Sequence, residues 1–150
     1  MKRIAYLVSL VMAIGMTGCA SRQAQGTAGD GAMARIGIVN HTGNDIYWAS
    51  VNGANGGDMS AWGAGNAGVC CTLIPTAWYP SMQVEIRWNM PIGKKDVIKK
   101  KIVEVEKYEE TGDVYIHIFP DDEVRVVVSP DGPRAPRHPI PHAGKPKDAI

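Results

Sequence analysis

The seven residues Met82-Gln83-Val84-Glu85-Ile86-Arg87-Trp88 alternate without a slip. Met82, Val84, Ile86 and Trp88 fall on one side of an extended chain, and Gln83, Glu85 and Arg87 on the other. A strand with one buried and one solvated face follows, and it needs a second layer to cover its apolar side. The same period of two recurs in Val114, Ile116 and Ile118, and again in Val124, Val126 and Val128. Between these runs stands Pro120-Asp121-Asp122, where proline sets a turn and the aspartates bond nearby amides, so the two runs read as a hairpin.

Upstream, Ala34–Val39 and Ile46–Val51 flank Asn40-His41-Thr42-Gly43-Asn44, which reads as a second hairpin. A sixth strand is expected over Ile102–Tyr108. Pro75 and Pro80 argue against a helix between residues 69 and 82, and residues 94–100 have room for a helical turn that nothing requires. The expectation is an all-β domain over residues 34–130, a small antiparallel β-sandwich or open barrel-like sheet of about six strands.

The ends differ in composition. Lys2 and Arg3 precede an apolar run from Ile4 to Met16, closed by the small residues Thr17 and Gly18. Residues 1–18 therefore read as a secretion signal, and the strongly apolar part is short of the about 20 residues a spanning helix needs. An uncleaved anchor helix is the alternative. Met16-Thr17-Gly18-Cys19 resembles the bacterial lipobox, with Met where Leu is more usual. That resemblance implies cleavage before Cys19, diacylglycerol on its thiol and an acylated amine. Ala20, rather than Asp, implies sorting to the outer membrane, facing the periplasm. Several acyl chains would hold firmly where one is marginal.

Residues 19–33 are small and polar beyond the cysteine and read as a flexible tether. Residues 131–150 form a Pro-rich tail; six prolines between Pro130 and Lys147 point to an exposed, unpacked end. Loss of Lys2 and Arg3 turns sixteen basic residues into fourteen against fifteen acidic ones, a mature net charge of about −1. No global field recruits nucleic acid.

Residues 53–68 hold six glycines. Gly63-Ala64-Gly65-Asn66-Ala67-Gly68 matches the letters of the dinucleotide fingerprint, but no strand–helix frame surrounds it, so a nucleotide site is excluded. The stretch reads as a mobile loop or as a binding loop, with Asp58, Met59 and Trp62 as its candidate partner contacts. With Cys19 acylated, Cys70 and Cys71 are the remaining cysteines in an oxidising compartment. Three outcomes stay open for them: a vicinal disulfide, two buried thiols, or a redox or metal role. Lys94, Lys95, Lys99, Lys100 and Lys101 form a basic cluster, read as a solvated sheet edge or as a contact for anionic lipid or an acidic partner.

His41, His117, His138 and His142 lack zinc-like spacing and read as scattered. No Ser sits in a nucleophile elbow. Neither a catalytic residue, a metal site nor a cofactor is expected.

Asn40-His41-Thr42-Gly43, Val51-Asn52-Gly53, Val69-Cys70-Cys71 with Leu73 and Pro75, Val84–Trp88 and Gly112–His117 together resemble a family of small bacterial lipoproteins of unassigned domain function, over roughly residues 36–128. Members often accompany type VI secretion loci carrying antibacterial lipase effectors. The resemblance implies an immunity protein, whose partners are the lipid bilayer and a phospholipase effector. Two other readings compete: an envelope lipoprotein binding glycan or peptidoglycan through Trp48, Trp62 and Trp78, and a thiol-dependent enzyme using Cys70 or Cys71.

Overall fold

A computed structural model describes residues 30–142 and 144–148. The signal, Cys19 and most of the tether lie outside the described residues. Eight strands follow in order: β1 (Gly31–Asn40), β2 (Trp48–Val51), β3 (Ala54–Asn55), β4 (Val69–Pro75), β5 (Gln83–Asn89), β6 (Ile98–Glu104), β7 (Asp113–Ile118) and β8 (Val124–Ser129). They form two four-stranded sheets, β4-β1-β7-β8 and β3-β2-β5-β6. The sheets are not closed into a barrel, and the fold is a small β-sandwich. Among the described residues there is one 3-10 turn, Pro120–Asp122, and no helix long and apolar enough to cross a membrane.

The alternating run fixes β5 as expected. Val84, Ile86 and Trp88 point into the core with Ile36, Ile38, Val51, Ile116 and Val126 from the surrounding strands. The expected hairpin at Pro120 joins β7 to β8 in register from Asp113↔Ser129 to Ile118↔Val124, and the Phe119 amide donates to the Glu123 carbonyl at 2.9 Å. The Trp88 indole Nε1 is buried without an acceptor among the described residues, a desolvation cost of about 1–3 kcal/mol that the packing of its ring offsets.

Two expectations change. β1 and β2 are not a hairpin: they belong to opposite sheets, and residues 41–47 carry the chain across the sandwich. Nor is the domain wholly antiparallel, because β1 and β7 pair in parallel, Ile36↔Val114 through Asn40↔Ile118. Two strands beyond the expected six, β3 and β4, complete the sheets.

The first sheet is buried on its inner face and on part of its outer face, where Met33 and Leu73 remain exposed. Its inner face joins the main core, while its outer face presents Val39, Tyr115 and Val127, which pack with Ala64, Ala67, Ile140 and Phe119 as a second apolar cluster. Gly37 is required here because the Tyr115 ring crosses it; a Cβ would stand 2.7 Å from Cδ1 and Cε1. The cover is built from the glycine-rich loop and the C-terminal segment.

Candidate functional site

Both segments that read as mobile are held down. In the loop, Ile46 and Met59 exchange backbone hydrogen bonds of 2.8 and 2.9 Å, Asn40 N–H donates to the Gly63 carbonyl at 2.8 Å, and Trp62 N–H to the Thr42 carbonyl at 2.9 Å. Ala61 N–H donates to Asp45 Oδ1 at 2.8 Å. Buried Asn40 acts as a hub: its Nδ2 donates to the carbonyls of Asn44 and Ser60 at 2.7 and 3.0 Å, and its Oδ1 accepts from the Thr42 amide and hydroxyl. Asn suits this place because one side chain satisfies donors and acceptors of two crossing segments at once.

The first part of the Pro-rich tail, residues 131–142, is packed too, which corrects the expectation of an exposed end there, while residues 145–148 are exposed as expected. Ile140 is 4 % exposed and His138 equally buried. Gly132 lies so close to the Asn66 side chain that a methyl there would collide, so tail and loop touch. His142 Nε2 lies 2.9 Å from the Trp62 carbonyl oxygen.

Under this cover the four histidines, far apart in sequence, come together. His41 follows β1, and the parallel register brings it beside the end of β7, where His117 points to the covered face. His41 Nε2 is 3.0 Å from His117 Nδ1, His117 Nε2 is 3.0 Å from His138 Nε2, and His138 Nδ1 is 2.9 Å from the Asp131 carbonyl oxygen. His41 stacks on Phe119 with ring centres 4.1 Å apart, and the His142 ring lies 5.7 Å from it. Tyr115 meets His138 edge to face.

The carbonyl at the end of this chain dictates every proton. A carbonyl only accepts, so His138 carries its hydrogen on Nδ1 and its Nε2 is the acceptor. His117 must then donate from Nε2 and accept at Nδ1, and His41 must donate from Nε2. Three neutral imidazoles thus form one directed chain. Burial, the neighbouring histidines and the Arg125 guanidinium oppose any added charge: His117 is pushed down to about 3, mainly by desolvation, and His41 to about 4 by desolvation, His142 and Arg125. The Tyr115 phenol is raised by burial.

Chemically, the chain ends on a backbone carbonyl and not on a Ser, Thr or Cys side chain. Among the described residues no three of His, Cys, Asp and Glu are placed to hold one metal ion. Sequence spacing missed this cluster because its members are up to 101 positions apart between His41 and His142. One signal was present: β7 and the Phe119 that follows it carry the rings of Tyr115, His117 and Phe119 opposite Val114, Ile116 and Ile118, and a strand with large rings on one face and aliphatic groups on the other calls for a cover on each side.

The other candidate residues are dispersed. Asp58 is exposed, Trp62 is half-buried, and Met59 packs partly against the main core. Trp62 adopts a left-handed backbone, φ 57°, which presents its ring beside Gly43. Cys70 and Cys71 are joined as a vicinal disulfide on β4, an edge strand; Cys70 is exposed and Cys71 half-buried, so neither is a buried core thiol. Trp78 donates from Nε1 to the Val105 carbonyl at 2.9 Å, whereas Trp48 lies on β2 and Trp62 in the loop, so the three tryptophans belong to different parts of the domain. The basic cluster lies on and before β6, the edge strand of the second sheet. Lys99 pairs with Asp122, Lys101 Nζ donates to the Asp122 carbonyl at 2.6 Å, and Lys100 stands 3.4 Å from Glu85. Lys94 and Lys95 are exposed.

A family described as a protein of unknown function, DUF3304, matches residues 39–126, more than half of the chain. The chain belongs to the DUF3304 family. Comparisons with curated proteins and with solved structures found no match. The matched span of the DUF3304 domain begins in β1 and ends in β8. It contains the glycine-rich loop, His41 and His117, while His138 and His142 are added from beyond it.

Proposed function

We propose that this DUF3304 protein is a lipid-anchored binding protein of the cell envelope, of the immunity type, which neutralises a phospholipase effector of type VI secretion. Acylation at Cys19 would place it on the outer membrane facing the periplasm. The observation that carries the reading is the pre-ordered loop. Residues 59–63 are pinned to the end of β1 and the crossing that follows it by the hydrogen bonds above, with Asp58 and part of Trp62 left at the surface. A surface already in its bound shape loses little entropy on association, which is how inhibitors of ordinary size reach high affinity. Aromatic anchors dominate such interfaces.

Tethering adds to this, since two proteins confined to one membrane meet at high effective concentration. The histidine chain fits a binding role: both nitrogens of His117 and His138 and the Nε2 of His41 are committed to one another and to a carbonyl, which stiffens the support under the loop.

The test is inhibition of a type VI secretion phospholipase effector by the purified protein. Stoichiometric co-elution and loss of lipase activity are expected. Trp62→Ala should weaken binding by about 2 kcal/mol, roughly thirtyfold, with thermal stability little changed. Full lipase activity in the presence of excess protein, or lipase-sensitive cells despite its expression, would remove the proposal.

A further inference from the structure

We propose that residues 131–142 form an acid-sensitive latch: their neutral histidine contacts hold the segment over the first sheet, and mild acidification releases it while the sandwich stays folded. The inference stands on the site geometry and not on the immunity reading.

The segment has few other fastenings. Ala135 and His138 amides bond only within it, to Gly132 and Ala135 carbonyls, and among the described residues its ties to the rest of the domain are the His138–His117 and His142–Trp62 bonds, the Asp131 amide bond to Ser129 Oγ, the ring contacts of His138 with Tyr115 and His142 with His41, the Gly132–Asn66 contact and the burial of Ile140. Among the described residues no ladder of backbone bonds joins it to a strand. It is therefore the part of the cover that opens at least cost.

The chain of tautomers makes that opening depend on protons. His117 and His138 each use one nitrogen as donor and the other as acceptor. A proton added to His117 keeps both bonds only if His41 moves its own proton to Nδ1, and it leaves an imidazolium buried beneath the cover. His41 alone has its Nδ1 outside the chain. The charged and titratable neighbours do not rescue a buried imidazolium. From β8 comes Arg125, itself paired with Glu106; from β7, the Tyr115 hydroxyl; from the tail, Arg134, His142 and Asp131, whose carboxylate is held by Arg137. Asp113, on the same sheet face, is paired with Arg35. No carboxylate reaches a histidine nitrogen among the described hydrogen bonds.

Released, His117 regains its ordinary value of 6.5 from about 3, so at pH 5 its preference alone favours the open state about thirtyfold; His41, partly solvated, adds a smaller factor in the same direction. Opening exposes Val39, Tyr115 and Val127 on the outer face of the first sheet.

Hydrogen exchange of the purified protein at pH 7.5 and 5.0, corrected for intrinsic rates, tests the latch. Protection over residues 131–142 should fall at least about thirtyfold on acidification, while β5 keeps its protection. His117→Gln, which cannot titrate, should cut the pH effect below about tenfold. Tail protection that is the same at both pH values overturns the proposal, as does loss of tail and β5 protection together, or an undiminished pH effect in His117→Gln. Should that variant misfold, the wild-type comparison decides.

Discussion

On the first sheet Val39, Tyr115, His117 and Val127 face away from the core and a loop and a tail close over them, while Met33 and Leu73 on the same face stay exposed. On the second sheet the corresponding positions are Trp48 and Ser50 on β2, Glu85 and Arg87 on β5, and Ile98, Lys100 and Ile102 on β6. There Ile98 is 54 % and Ile102 59 % exposed, and polar groups surround them. The difference traces to the strands themselves. β5 alternates apolar with polar and tolerates water on one side; β7 carries large rings on one face and aliphatic groups on the other and does not. One sandwich thus carries three layers of packing on one side and two on the other, and the added layer gathers the histidines.

This contrast is open to attack at several strengths. Ending the chain at Pro130 removes Ile140 and the histidine contacts and opens the second apolar cluster; unfolding free energy by urea titration should fall by on the order of 4 kcal/mol. A truncated protein as stable as the full chain would mean the cover contributes nothing. Next, Asn40→Ala leaves the buried Thr42 amide without its partner and takes one bond each from the Thr42 hydroxyl and the Asn44 and Ser60 carbonyls, with an expected loss of about 3 kcal/mol and faster exchange of the Trp62 and Gly63 amides.

Acid acts in the same direction with a smaller effect. Unfolded His117 takes a proton near 6.5 and the folded residue resists to about 3, so the unfolded chain binds more protons between those values. Stability is whole above pH 6.5 and falls as pH drops towards 3, with about 2 kcal/mol gone at pH 5 from this residue. The chain ending at Pro130 should lose much of that dependence, because its His117 is closer to solvent. The smallest effect belongs to the bare face: Ile102→Ser should shift stability by no more than about 0.5 kcal/mol. A loss of 2 kcal/mol there would show that the second sheet is covered after all.

The sandwich was legible wherever alternation was unbroken, as in β5, β7 and β8. β4 was not, because Leu73 is exposed beside buried Thr72 and Ile74, which inverts the hydrophobic signal over Val69–Pro75. The supposed hairpin at Asn40–Asn44 failed for a tertiary reason. Turn-forming residues mark a change of direction, and nothing local distinguishes a return in one sheet from a crossing between two. Glycine and proline misled in a similar way: both mark irregular backbone, which is as compatible with a pinned cover as with a mobile one. The histidine chain is the extreme case, since only the parallel pairing of β1 with β7 and the return of the tail bring its members within hydrogen-bonding distance.

Nitrogen-15 spectra of histidine-labelled protein test that chain most directly. At pH 7.5 His41 and His117 should appear as neutral rings protonated at Nε2 and His138 as a neutral ring protonated at Nδ1, with His117 still uncharged at pH 5. Averaged tautomers in all three rings, with His41 and His117 titrating near 6.5, would contradict the account.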